Sequence, residues 1–235
     1  MTTRQILACG GGGLTETDGR YRLLEHALSL SGSTQPRLCY LGTALGDSAL
    51  GIVRFYDTVR ELACRPSHLS LFTMPNIADF RAHLLSQDAV YVDGGSVANL
   101  LAVWRVHGLD EVLRAAYDAG VVLCGSSAGS ICWFEGGTTD SFGPALRPVT
   151  NGLGLIAASN TPHYDSEALR RRTYQSLVAS GELSPGWAAD DHVGLHFVDG
   201  VLHEAVAARE GQLAWRVERS ADGTAVETRL TARVL

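Results

Sequence analysis

Through the first half of the chain, short apolar runs that close in small or turn-forming residues alternate with longer amphipathic stretches. A strand buried on both faces reads as an unbroken apolar run, and a parallel return needs a helical crossover. The alternation therefore predicts a mostly parallel sheet flanked by helices. Strands are predicted over residues 5–9, 37–41, 69–73, 89–93 and 121–125. Residues 20–30 place Leu23, Leu24, Ala27 and Leu30 at helical spacing, and residues 52–62 do the same with Val53, Tyr56, Val59 and Leu62. Residues 97–106 and 109–119 are two more helices, separated by Gly108. Beyond Gly181 the pattern changes to short strands over 193–198, 201–207, 213–218 and 226–230, with the hairpin signals Asp199-Gly200 and Asp222-Gly223. The expectation is an α/β fold in which residues 1–235 form a single domain with an antiparallel C-terminal extension.

Composition narrows the chemistry. All nineteen basic residues are Arg, so lysine Schiff bases and Walker-type phosphate loops are excluded. The formal net charge is −6 and the densest basic stretch is only Arg170-Arg171-Arg172, which argues against nucleic acid and points to a small-molecule partner. No apolar run reaches the roughly 18–20 residues that cross a bilayer, and the first residues lack a secretory pattern, so a cytoplasmic location is expected. Cys9, Cys39, Cys64, Cys124 and Cys132 are odd in number and show no C-x-x-C spacing. They are expected to be buried free thiols, and structural zinc is not expected.

The strongest local signal is Gly125-Ser126-Ser127-Ala128-Gly129, between an apolar strand and the apolar stretch 131–134. It fits a nucleophile elbow, in which small neighbours permit a strained turn that exposes the Ser127 hydroxyl at a helix N-terminus. Asp93-Gly94-Gly95-Ser96 is a second glycine turn between strand and helix, at the same sheet edge, where ligands gather. The N–H groups of Gly94, Gly95 and Ala128 are the candidate oxyanion donors. Gly10 to Gly13 does not complete a G-x-G-x-x-G pattern, because Thr15 stands at the last position; it reads as a loop at that edge.

A serine needs a base. Of eight His residues, His163 is the best placed, in Asn160-Thr161-Pro162-His163-Tyr164-Asp165, a loop ahead of a helix expected over 166–179. Asp140 and Asp191 compete to orient it, and spacing does not separate them. Glu135, expected in the elbow helix, is a weaker candidate.

In order and spacing these elements resemble the peptidase E and cyanophycinase family of serine peptidases. The match rests on Val92-Asp93-Gly94-Gly95-Ser96 with Asn99-Leu100-Leu101, the Ser127 pentapeptide, Gly137-Thr138-Thr139-Asp140-Ser141, Asn160-Thr161-Pro162-His163 and Asp190-Asp191. The chain departs from the peptidase E pattern at Ser126, where Trp commonly precedes the nucleophile, and in a shorter stretch from the His to the Arg-rich helix. The resemblance implies a fold similar to class I glutamine amidotransferases, of flavodoxin-like type. It also implies Ser127 as nucleophile, His163 as base, no cofactor, a small homo-oligomer, and hydrolysis of short peptides with an N-terminal aspartate. A planar Arg fork suits a substrate carboxylate, and Arg170, Arg171 and Arg172 are its nearest supply. Alternatives are a cyanophycinase-like or other acyl hydrolase, an α/β-hydrolase esterase, and a noncatalytic ligand sensor.

Overall fold

The computed structural model describes residues 2–12, 14 and 21–235; Gly13, Thr15 and Arg20 of the sequence reading lie outside them. In chain order the elements are β1 (Gln5–Cys9), α1 (Arg22–Ser29), β2 (Arg37–Leu41), α2 (Ala49–Val59), β3 (Arg65–Leu69), α3 (Phe80–Leu85), β4 (Ala89–Val92), α4 (Val97–His107), α5 (Leu109–Asp118) and β5 (Val122–Ser126). There follow α6 (Ala128–Ile131), β6 (Phe134–Thr139), β7 (Arg147–Val149), β8 (Ile156–Thr161), α7 (Arg170–Ser180), β9 (Gly186–Ala189), β10 (Val193–Val198), β11 (Val201–Ala207), β12 (Leu213–Arg219), β13 (Ala225–Thr231) and β14 (Arg233–Val234).

The larger sheet has the order β14-β11-β10-β1-β5-β4-β2-β3. From β1 to β3 its neighbours are parallel, and β10 joins β1 antiparallel. The fold class is thus α/β with a mostly parallel central sheet. Alternate residues of β1 serve opposite cores. Ile6 and Ala8 face the side covered by α4 and α5, while Leu7 and Cys9 face α1 and α2. Burial of both faces is why the strand reads as an unbroken apolar run.

Where the sequence predicts one sheet, there are two. The second, of order β13-β12-β9-β8-β6-β7, shares the α4–α5 core, where the Phe134 and Phe197 rings meet edge to face at 5.5 Å. The tail strands divide between the sheets, β10 and β11 entering the first and β12 and β13 the second. Glu135 therefore stands in β6 and not in the elbow helix, which ends at Ile131. The third strand is β3 and not residues 69–73: an exposed edge strand containing Pro66 carries no apolar pattern. The helix expected over 166–179 begins only at Arg170, and that expected over 52–62 begins at Ala49, where the Ser48 hydroxyl caps Gly51 N–H. Among the described residues no disulfide forms; four of the five cysteines are buried, and Cys64 is partly exposed. Among the described residues no helix is long and apolar enough to cross a membrane.

Candidate active site

Ser127 sits between β5 and α6 with φ 55° and ψ −113°, a conformation that non-glycine residues rarely adopt. The flanking glycines are required for space and not for their own torsions. A β-carbon on Gly129 would stand 2.1 Å from Val92 O, and one on Gly125 would stand 2.4 Å from Gly129 O. The backbone is thus drawn tightly across β4 and turned so that the serine faces a cleft of about 460 Å³. Gly95, Ser96, Asp140, Ser141, His163, Glu167 and Arg170 line the same cleft.

The glycine turn after β4 is held from below by a buried polar pair. The Tyr40 hydroxyl donates to Asp93 Oδ2 at 2.7 Å, and Gly94 N–H donates to Asp93 Oδ1 at 2.8 Å. Burial raises the Asp93 carboxyl above its ordinary pKa. Gly94 N–H, one of three expected oxyanion donors, is therefore committed to the aspartate, and Gly95 and Ala128 remain as candidates. Gly95 has φ 128°, and a β-carbon there would meet Ala44 O at 2.4 Å, so the close approach of two loops fixes this residue as glycine.

His163 follows β8 at φ 55°. Its N–H donates to Gly10 O at 3.2 Å, and the next residue, Tyr164, donates to Ala189 O at 3.1 Å. The imidazole Nδ1 lies 2.6 Å from Asp191 Oδ1. The hydrogen bond from His163 holds the Asp191 carboxyl below its ordinary pKa, so an ionised acceptor draws the ring proton to Nδ1 and leaves the Nε2 lone pair free. Asp191 is itself steadied by Asp165, whose Oδ1 accepts the Asp191 N–H at 2.9 Å. Of the two competing carboxylates, Asp191 meets the imidazole. Asp140, on the turn after β6, stands in the cleft wall, where Ser141 Oγ accepts from Ala98 N–H at the start of α4. No hydrogen bond joins the Ser127 hydroxyl to His163 in the structure; such contacts are often long without substrate and tighten as it binds.

Residues 6–205 match Peptidase family S51. The chain belongs to this family. It is 45% identical over 214 residues to the uncharacterized peptidase YgaJ of Bacillus subtilis (strain 168), covering 91% of this chain and 92% of that protein. It is 26% identical over 205 residues to peptidase E of Shewanella denitrificans, covering 84% and 80% of the two chains. A solved peptidase from an acI-B1 Actinobacterium superposes with a TM-score of 0.71 at 14% identity, over 99% of this chain and 95% of the other, a likeness of fold. Membership in S51 identifies the chain as a peptidase.

Within this S51 peptidase the three consecutive arginines separate. Arg170 is 3% exposed and reaches the cleft, with Nη1 on Thr138 O at 2.8 Å and Nε on Glu167 Oε2 at 3.0 Å. Arg171 turns away to Glu227, with Nε at 3.1 Å from Oε2 and its guanidinium 4.3 Å from the Trp215 ring centre. Arg172 is exposed and does not line the cleft. Two contributors were not singled out from sequence. Glu167 stands three residues before Arg170, a spacing that marks an i,i+3 ion pair on a turn or helix. Gly11 is in sequence only part of a glycine loop, yet a β-carbon there would stand 1.9 Å from Asp191 Oδ1.

Proposed function

We propose that the protein is a serine exopeptidase that removes an acidic residue, aspartate first, from the N-terminus of short peptides. The observation that carries this reading is the strained Ser127 opening on the same cleft as an imidazole whose far nitrogen is anchored by Asp191. In the proposed reaction His163 Nε2 takes the Ser127 proton as the hydroxyl oxygen attacks the scissile carbonyl. The Gly95 and Ala128 N–H groups receive the oxyanion, and the imidazolium returns its proton to the leaving amine. Water, deprotonated by the same imidazole, then releases the acyl group and restores the serine.

Substrate preference follows from the cleft's charges. Arg170 is the cation available for a side-chain carboxylate. It spends one Nη1 proton on Thr138 O and shares Nε and Nη2 with Glu167, which leaves guanidinium protons for an incoming carboxylate. Asp140 and Glu167 supply negative charge for a free α-amino group, which favours an exopeptidase over cleavage within a chain.

The test is a dipeptide panel varying the first residue, run on the wild type beside Ser127→Ala and Ser127→Gly. Both variants should lose hydrolysis. Ser127→Gly should also raise stability by about 1 kcal/mol, since glycine adopts the positive φ without strain. Labelling of wild-type Ser127 by a fluorophosphonate supports a nucleophile; full turnover by Ser127→Ala rejects it.

A further inference from the structure

Away from the cleft, α1 crosses the face of the β10–β11 pair. His196 lies directly opposite Glu204 in the ladder, and an irregularity between His196 and Phe197 shifts the register there. His26, in the last turn of α1, comes down on this pair: its ring stands edge-on to His196 at 6.0 Å between centres, and its Nε2 is 3.9 Å from Glu204 Oε1. One ligand atom from each of His26, His196 and Glu204 lies within 4.8 Å of the other two, and among the described residues this is the one such group.

A chain of hydrogen bonds decides which nitrogen of His196 is free. Gln5 Nε2 donates to Leu30 O at 3.0 Å, which fixes the orientation of that amide, so Gln5 Oε1 faces His196 Nε2 at 3.1 Å. An amide oxygen only accepts, so Nε2 carries the proton and Nδ1 carries the lone pair. His196 is 4% exposed, and its Nδ1 has no hydrogen-bond partner; neither has His26 Nε2. Two buried imidazole nitrogens without a protein donor, in a cluster with a carboxylate, are costly unless a further group bridges them.

We propose that His26 Nε2, His196 Nδ1 and the Glu204 carboxylate bind one divalent transition-metal ion, Zn²⁺ by the nature of the donors, which clamps α1 to the β10–β11 pair. Two imidazoles and a carboxylate are a borderline-soft set that suits zinc over calcium or magnesium. Zn–N and Zn–O bonds of about 2.0–2.2 Å place tetrahedral ligands about 3.3 Å apart, so the present spacing closes by about 1.5 Å at most as side chains rotate. Burial holds both imidazoles below their ordinary pKa, His196 at about 4. The Gln5 bond to the distal nitrogen is the outer-shell contact that orients a ligating histidine. Arg233 opposes the ion. Its Nε and Nη2 each lie 2.9 Å from a Glu204 oxygen, so it shares the carboxylate and repels a cation. A hollow of about 540 Å³, bordered also by Arg22 and Arg233, lies beside His26. None of these residues lines the Ser127 cleft, so the site stands or falls apart from the peptidase reading.

The experiment uses untagged, chelator-stripped protein, titrated with Zn²⁺ alone by calorimetry and with Co²⁺ alone by visible absorption. One Zn²⁺ per chain, tetrahedral Co²⁺ bands and a Zn²⁺-dependent rise in Tm are expected. His26→Gln and Glu204→Gln should weaken binding roughly tenfold or more, the loss that even outer-shell contacts carry. Arg233→Gln should tighten it. Absence of binding, or unchanged affinity in these variants, overturns the proposal. If His26→Gln does not fold, Arg233→Gln decides, because that side chain is 55% exposed; an unchanged or weaker affinity there overturns it.

Discussion

Asp191 leaves no room for a β-carbon on Gly11: the carbon would stand 1.9 Å from Asp191 Oδ1 and 2.8 Å from His163 Cε1. The loop after β1 is thus the wall against which the imidazole and its carboxylate are set. Gly11→Ala should displace that pair while leaving both sheets intact. A fall in kcat/KM of about 100-fold is expected, the usual effect of shifting a catalytic group by an ångström. Circular dichroism should be unchanged. Full activity would show that the pair does not act on substrate.

Asp191 and Asp140 should answer differently to the same substitution. Asp191→Asn removes the charge that fixes the imidazole tautomer, and kcat should fall by about 10³–10⁴. Asp140→Asn leaves the pair in place and should act mainly on KM, through the substrate's amino group. Steady-state kinetics on one dipeptide separates the two; a kcat loss at Asp140 equal to that at Asp191 would reverse the assignment.

The adjacent arginines form a second contrast. Arg170→Lys replaces a fork by a point charge and should reduce kcat/KM for Asp-Leu about tenfold more than for Ala-Leu, the scale of one charge-assisted hydrogen bond. Arg171→Ala should leave that ratio unchanged, because its guanidinium is engaged with Glu227 and Trp215.

Asp190, beside the orienting carboxylate, predicts a pH dependence of stability. Burial pushes its carboxyl up to about 6, above the unperturbed value of 3.8. The folded state therefore holds more protons than the unfolded state between those values, and stability falls as pH rises through this window. Asp190→Asn, which keeps an oxygen for Leu213 N–H, should raise stability at pH 8 by an amount on the order of 1–3 kcal/mol and have little effect at pH 3. Urea denaturation at the two pH values reads the difference; a variant less stable at pH 8 would contradict it.

The sequence revealed the strands buried on both faces, because β1, β2 and β4 carry unbroken apolar runs. The second sheet escaped notice for the opposite reason. In β6 and β8, polar and small residues are buried against protein partners: Thr138 pairs with Thr161 across the two strands, and Asn160 Nδ2 donates to Ser130 Oγ of α6 at 2.7 Å. Gly136 and Gly137 sit where a β-carbon would meet carbonyls of neighbouring strands at 2.1 and 2.0 Å, so residues that read as loop are strand by necessity of space. Ser127 and His163 announce themselves through glycine and proline neighbours. The choice between Asp140 and Asp191 depends on how β8 and β9 lie side by side, a pairing no spacing encodes. For the same reason His26, His196 and Glu204, which meet only in the fold, form no motif.

The family match stops at residue 205, yet β12 lies beyond it, pairing with β9 from Ala189 to Gly186, while Leu213 N–H donates to Asp190. During synthesis a ribosome must therefore pass Arg219 before β9 gains its outer neighbour and the segment bearing Asp191 is braced. A nascent chain halted near residue 208 would already contain Ser127, His163 and Asp191 and still lack the strand that braces the segment joining the last two.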